Sequence, residues 1–193
     1  MCMPCAARVA RDMSPPTRRT RRLLLRAPGA ADIDPLFAIQ SNPTAMRFTF
    51  CSPSRAATKS YIESYSARFA EDGFAPWTVI LAAENRIIGW GGLNRDPKEP
   101  HWGIEVAYFL EPAYWGRGLA TELVQESLNL AFHDLGLPQV GAFARPDNDA
   151  SVRVLAKCGF IRIGFVAQLE RDQFAISAAS WRTRRQASQP AAD

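Results

Sequence analysis

A chain of 193 residues with 47% apolar content and no long biased insert has room for one globular domain with a substantial core. No apolar stretch reaches the ~20 residues needed to span a bilayer, and residues 1–11 lack the continuous apolar run of a secretory signal, so no membrane partner is expected and the expected address is cytoplasmic. The net charge of +4 owes much to arginines at 18, 19, 21, 22, 182, 184 and 185, and no interleaved aromatic motif accompanies them, so nucleic acid is not an expected partner.

Residues 1–19, with Pro4, Pro15 and Pro16 and little periodicity, predict a disordered leader in which Met13 is an alternative start. A strand over 21–26 ends at Pro28-Gly29. Asp32, Ile33, Leu36, Phe37 and Ile39 then predict a short helix that stops near Asn42-Pro43. Ser54 can cap a second helix, in which Tyr61, Ile62, Tyr65 and Phe69 recur at helical spacing up to Asp72-Gly73. Three strands follow, over 77–83, 86–93 and 102–110, as an antiparallel meander with a tight turn at Glu84-Asn85.

Residues 114–122 read Tyr-Trp-Gly-Arg-Gly-Leu-Ala-Thr-Glu, a glycine-rich elbow between the strand ending at Phe109-Leu110 and a long amphipathic helix. Gly116 and Gly118 let backbone approach a ligand without Cβ obstruction, and a helix start presents unpaired N–H groups and positive dipole, a ready site for pyrophosphate. A plain strand-to-helix turn is the alternative reading of the same residues. The helix, over 116–135, places Ala120, Leu123, Val124, Leu128, Ala131 and Leu135 on one face and ends at Gly136. A strand over 139–144 closes a crossover, so it should lie parallel to and beside the strand over 102–110. Asn148 stands at an N-cap before a short helix with Val152, Leu155 and Cys158 inward, terminated by Gly159. Strands over 160–167 and 174–181, joined by a polar turn at 170–173, end the fold, and residues 184–193 predict a disordered tail. Cys2, Cys5, Cys51 and Cys158 are too sparse for a disulfide framework, and the Cys2/Cys5 pair has no second pair to complete a metal site, so no metal is expected.

Four stretches, at 105–110 (Glu-Val-Ala-Tyr-Phe-Leu), 115–122, 148–151 (Asn-Asp-Ala-Ser) and 154–160 (Val-Leu-Ala-Lys-Cys-Gly-Phe), resemble the GNAT N-acetyltransferase superfamily in order and spacing. Within it the chain is similar to the branch of ribosomal-protein N-terminal alanine acetyltransferases, over nearly all of residues 20–183. The resemblance implies a single α/β (α+β) domain there, with a mixed sheet of about seven strands, about four helices, and fourth and fifth strands that splay apart around the pantetheine arm of acetyl-coenzyme A. It implies that Phe109 and Leu110 offer backbone groups to pantetheine. Trp115, Gly116, Arg117, Gly118, Leu119, Ala120 and Thr121 would surround the pyrophosphate, and Asn148 and Ser151 would lie near the sulfur. Trp115 stands where many relatives carry Gln or Arg, and Leu155 stands where many carry a proton-donating tyrosine.

Acetyl transfer from a thioester to an amine needs a neutral amine, an oxyanion donor and a proton for the departing thiolate. Glu105 is the candidate base, directly or through water, because alternation puts it on one face with Ala107 and Phe109; a carboxylate bonded to a neighbouring strand is the alternative. Ser151 is the candidate hydrogen-bond donor to the thiolate, or else a satisfier of local backbone groups. The N–H of Leu110 is the candidate oxyanion donor, and the Arg117 fork a candidate partner for cofactor phosphate. His101 and His133 fall outside the matched stretches and are left out, while Trp77, Trp90 and Trp102 read as core residues before acceptor-pocket walls. The expected acceptor is a primary amine, either a protein or peptide N-terminus or a small molecule. A non-catalytic acyl-coenzyme A sensor is the alternative of another class. The sequence leaves oligomeric state open, a homodimer included.

Overall fold

Along the chain, β1 (Arg18–Arg19) and β2 (Leu23–Arg26) lead into α1 (Ile33–Gln40), α2 (Arg55–Ser66) and the short α3 (Phe69–Asp72). There follow β3 (Trp77–Leu81), β4 (Arg86–Asn94), β5 (Glu105–Leu110), α4 (Leu119–Asn129), β6 (Gln139–Ala144), α5 (Asp149–Cys158), β7 (Ile161–Val166), β8 (Arg171–Ser177) and α6 (Ala178–Ala187). This computed structural model describes residues 15–187, in which eight strands form one mixed sheet in the order β1-β2-β3-β4-β5-β6-β8-β7. The expected GNAT-like α/β sheet is present, with the strands over 102–110 and 139–144 as β5 and β6. Residues 1–14 and 188–193, with the Cys2/Cys5 pair and Met13, lie outside the described residues.

Local chemistry accounts for most of the helix and strand ends. The Ser54 hydroxyl accepts the Ala57 N–H and caps α2, Asn148 Oδ1 accepts the Ser151 N–H and caps α5, and Gly159 closes α5 at φ +94°. Asn85 supplies a positive φ in the turn between β3 and β4. Helix α4 runs on through a π-helical turn, Leu130–Asp134, before Gly136 at φ +63°.

Four expectations are corrected. Arg18 and Arg19 belong to the sheet rather than to a leader, because Arg18 pairs with Glu126 and Asp134 on the α4 side and Thr20 bonds Glu122. The strand expected from 102 begins only at Glu105, since Pro100–Trp102 forms a 3-10 turn and Gly103 takes φ +85°. The turn expected at 170–173 falls at Ala167–Leu169 and Glu170 instead, and Asp172 is a buried strand residue paired with Arg162. The last strand stops at Ser177, whose Oγ accepts the Ser180 N–H, and the chain turns into α6, so residues 178–187 are helical.

Both faces of the sheet are covered, which explains why β3 is buried at every position instead of alternating. On one face Leu119, Leu123, Val124 and Leu128 of α4 and Leu155 of α5 join the main core. On the other, Leu36 and Ile39 of α1 and Ile62 and Tyr65 of α2 pack on Trp90 and Phe109. A bidentate pair of half-buried Arg26 with buried Asp32, to which the Thr78 hydroxyl also donates at 2.8 Å, ties β2 and β3 to the start of α1. Burial works against the Asp32 charge, yet the Arg26, Gly29 and Thr78 donors hold its carboxyl below the usual carboxylate range.

The central strands combine a divergence on one side with a close approach on the other. Strand β5 pairs with β6 in parallel at Glu105 and Gly141, where the Gly141 N–H donates to Ile104 O at 2.8 Å, and the strands diverge beyond that point. Strand β4 meanwhile hugs β5, because a Cβ on Gly89 would strike the Phe109 carbonyl and one on Gly91 the Tyr108 side chain. Gly89→Ala should therefore destabilise the fold by about 1–3 kcal/mol, the usual cost of overpacking, read as a lower midpoint in equilibrium urea denaturation.

Candidate active site

The divergence of β5 from β6 leaves a gap lined by main chain. In the ladder with β4, the Glu111 N–H donates to Ile88 O at 2.8 Å, and alternation from that pair turns the backbone groups of Tyr108 and Leu110 toward β6 and those of Phe109 toward Trp90. The backbone groups of Phe109, expected from sequence to face pantetheine, are thus turned to β4, and those of Tyr108 face the gap. Phe109 instead contributes a ring stacked on Trp90 at 5.6 Å between centroids. The carbonyl of Leu110 is taken by the Trp115 indole N–H at 2.9 Å, which leaves the Leu110 N–H as its backbone group facing the gap.

A cavity of about 250 Å³ opens there. Its walls include Tyr108, Phe109 and Leu110 of β5, Trp115, Gly116, Gly118, Leu119, Ala120 and Thr121 of the elbow and α4, and Asn148 and Ser151 at the start of α5. All of these were singled out from sequence except Tyr108. Gly116 and Gly118 take φ +73° and +75°, left-handed conformations that turn the chain tightly into α4. The elbow is braced from behind. Arg22 donates to the Arg117 carbonyl at 2.8 Å and pairs with Glu122 at 2.7 Å, and Thr20 adds a hydrogen bond to the same carboxylate. Burial opposes the Glu122 charge, but Thr20 and Arg22 keep its carboxyl below the usual range.

The expected phosphate fork is not at this cavity. Arg117 places its guanidinium over the Tyr114 ring, 5.1 Å from the centroid, outside the lining. The cations on the wall are Arg47, Arg153 and Lys157. Arg47, from the connection between α1 and α2, stacks over Phe48 at 4.4 Å and Trp115 at 5.7 Å. Sequence reasoning missed it because no local motif marks that loop; Arg153 and Lys157 could have been found from their spacing on α5, one turn apart on one face.

A second cavity, of about 760 Å³, lies on the α1/α2 side of the sheet. Tyr61 and Tyr65 of α2, Trp90, Trp102, Phe143, Asp96, Glu105 and Arg171 are among its walls, and it shares Thr49, Tyr108 and Phe109 with the first. Trp77 is a core residue as expected, whereas Trp90 is both core and wall and Trp102 is wall, meeting Phe143 edge-on at 5.5 Å. His133 is exposed beside Asp134, and His101 stacks on Trp102 outside the lining.

Glu105 faces this second cavity with no side-chain hydrogen bond or ion pair among the described residues. Burial pushes its carboxyl up to about 7; the Asp96 carboxylate adds to the rise and the Arg171 guanidinium opposes it. The Tyr108 hydroxyl donates to Ser151 Oγ at 3.4 Å, and burial pushes that phenol up to about 12, so it stays protonated at neutral pH. Leu155, where many relatives of the resembled superfamily carry a tyrosine, is 2% exposed in the core. One phenol therefore sits where the two cavities meet. Among the described residues no group of His, Cys, Asp and Glu could hold a metal ion, and no helix is long and apolar enough to cross a membrane.

Comparison with known proteins identifies the family and the fold. The family model "Acetyltransferase (GNAT) domain" matches residues 22–161. The protein named "Uncharacterized N-acetyltransferase YoaA" from Bacillus subtilis (strain 168) is 29% identical over 155 residues, 79% of this chain and 87% of that protein. An acetyltransferase from Agrobacterium tumefaciens str. C58 shares the fold with a TM-score of 0.73 at 24% identity, covering 83% of this chain and 94% of that one. A spermidine N-acetyltransferase from Vibrio cholerae, solved in complex with CoA and spermine, superposes with a TM-score of 0.67 at 20% identity, covering 84% of this chain and 99% of that one.

The unpaired carboxyl has a measurable cost. Its folded pKa lies above the ordinary carboxylate value, so the folded chain holds a proton that the unfolded chain releases; the stability this lends is complete below the unfolded pKa and is lost as pH rises through about 7. Glu105→Gln should thus match the wild type in thermal stability near pH 4.5 and exceed it at pH 8, in scans of the unliganded protein.

Proposed function

The chain belongs to the GNAT acetyltransferase family, and from that premise we propose that it transfers the acetyl group of acetyl-coenzyme A to a primary α-amine by direct attack on the thioester. The observation that carries this reading is the meeting of two cavities at Tyr108 and Phe109, one framed by a glycine elbow and a helix start, the other by an unpaired carboxyl. In this reading the diphosphate sits on the N–H groups of Leu119, Ala120 and Thr121 at the start of α4, with Arg47, Arg153 and Lys157 around the mouth. Pantetheine extends along the Tyr108 and Leu110 main chain left free by β6, as a further strand would.

The acceptor amine enters from the larger cavity. Glu105 takes its proton, the nitrogen adds to the thioester carbonyl, the Leu110 N–H stabilises the oxyanion, and the C–S bond breaks. Ser151 donates to the departing sulfur and accepts the Tyr108 hydroxyl in turn, so the phenol supplies the thiolate's proton through Ser151, the proton-bearing group that Leu155 lacks. A base near 7 is well matched to an N-terminal α-amine at about 8 and poorly matched to a lysine amine at about 10.4, which supports an α-amine acceptor.

The test is thiol release by the purified protein from acetyl-coenzyme A with a panel of amino acids, peptides and polyamines. Acceptor-dependent release is expected, and its absence across the panel with bound coenzyme A would overturn the reading. For responsive acceptors, kcat/KM should rise with pH through about 7 and level off, since the base acts deprotonated; Glu105→Gln should lower it about 100-fold and remove that limb. Tyr108→Phe should reduce kcat about 10-fold or more while leaving KM for acetyl-coenzyme A near the wild-type value.

A further inference from the structure

The larger cavity carries charges that its own walls do not satisfy. Among the described arginines, Arg18, Arg22, Arg26, Arg55, Arg68, Arg86, Arg95, Arg145 and Arg162 each have a carboxylate within ion-pair distance. Arg171, half-buried at the start of β8, has none among the described residues. Its one hydrogen bond there runs from Nη2 to Phe48 O at 3.1 Å, so most of its fork is left without a protein acceptor. Burial pulls its pKa down and the Glu105 carboxylate pulls it back; both residues line the cavity, and no hydrogen bond or ion pair joins them among the described residues.

The other charged groups on the wall are accounted for. Asp96 accepts the Tyr65 hydroxyl at 3.1 Å and the N–H groups of Lys98 and Glu99, and the Lys98 and Glu99 side chains are exposed to solvent. What remains is a carboxyl without a cation, a guanidinium without an anion, and the Trp90 Nε1–H, which is buried with no hydrogen-bond partner among the described residues. Half-buried charges of opposite sign held apart are costly unless something bridges them.

We propose that the acceptor is a free amino acid, its amine at Glu105, its carboxylate on Arg171, and an apolar side chain against Tyr61, Trp90 and Trp102. This rests on the acetyl-transfer reading and deepens it. An arginine fork binds a carboxylate through two parallel hydrogen bonds, a geometry that a peptide carbonyl or a polyamine does not offer. The pairing also prepares the chemistry. A free amino acid's own carboxylate holds the proton on its ammonium, and a guanidinium on that carboxylate weakens the hold, which brings the amine within reach of a base near 7. In the reaction the ammonium proton passes to Glu105 and the nitrogen bonds to the acetyl carbon; as the thioester C–S bond breaks, the thiolate takes the Tyr108 proton through Ser151, and the second proton leaving the nitrogen restores the phenol. The products are an N-acetyl amino acid and coenzyme A thiol.

The test uses the full chain with acetyl-coenzyme A and three acceptors that share one ring and one amine: L-phenylalanine, L-phenylalaninamide and the dipeptide Phe-Ala. Phenylalanine should exceed the other two in kcat/KM by about 100-fold, the discrimination available to a site built around a charged partner. Arg171→Gln and Arg171→Lys should each shrink that ratio at least about tenfold, acting mainly through KM for the amino acid. Equal or greater turnover of the amide or the dipeptide by the wild type would overturn this inference and leave acetyl transfer to α-amines intact. Thiol release from none of the three, nor from any amine in the wider panel, would overturn both.

Discussion

Two parallel strands that part company after a single paired residue set the geometry of the whole molecule. Had β6 continued alongside β5 beyond Glu105 and Gly141, the N–H and C=O groups of Tyr108 and Leu110 would be spent inside the sheet. Backbone polar groups in a buried sheet demand partners, so an opening of this kind persists only where something else holds it. Here the support comes from the sides. Helix α4 crosses behind the gap, braced by Arg22 and Thr20, α5 caps itself beside it through Asn148, and β4 is pressed against β5 by its glycines. The rigid surroundings keep an unfinished edge in place at the centre of the fold.

How far the sequence could be read follows from the range of each interaction. The elbow at residues 114–122, the Ser54 and Asn148 caps and the alternation through β5 are settled by neighbours within a few positions, and the structure has them where the pattern put them. The misread segments depend on distant partners. Arg18 joins the sheet because Glu126 and Asp134 lie across from it, and Asp172 reads as a turn residue until Arg162 is placed beside it. The cations around the smaller cavity show the same limit. Arg117 was conspicuous by its position in the motif, yet it rests on Tyr114, while Arg47 reaches the cavity from a loop about seventy residues earlier that carries no signature.

Tyr108 is the instructive case. It stands in the middle of a stretch recognisable from sequence, while the position where many relatives carry a proton-donating tyrosine holds Leu155, which the fold buries. Alternation alone placed the Tyr108 side chain opposite Glu105 and Phe109; only the start of α5, brought over that face, gives its hydroxyl a neighbour in Ser151. Strand β5 thus sends its carboxyl to one side and its phenol to the other, and the two faces differ in what they hold: a carboxyl raised to about 7 and a phenol raised to about 12, both by burial. The same desolvation that weakens the first as an anion preserves the second as a donor.

The connection between α1 and α2 touches both hollows at once: Ala45, Arg47 and Phe48 line the smaller, Met46 and Phe50 the larger, Thr49 both, and Arg171 grips the Phe48 carbonyl. This strap is shared property, so a change anywhere along it alters two compartments together. Binding measured for such a variant reflects both hollows at once. Residues confined to one compartment, Arg153 beside the smaller or Trp102 beside the larger, are the ones whose replacement changes a single hollow.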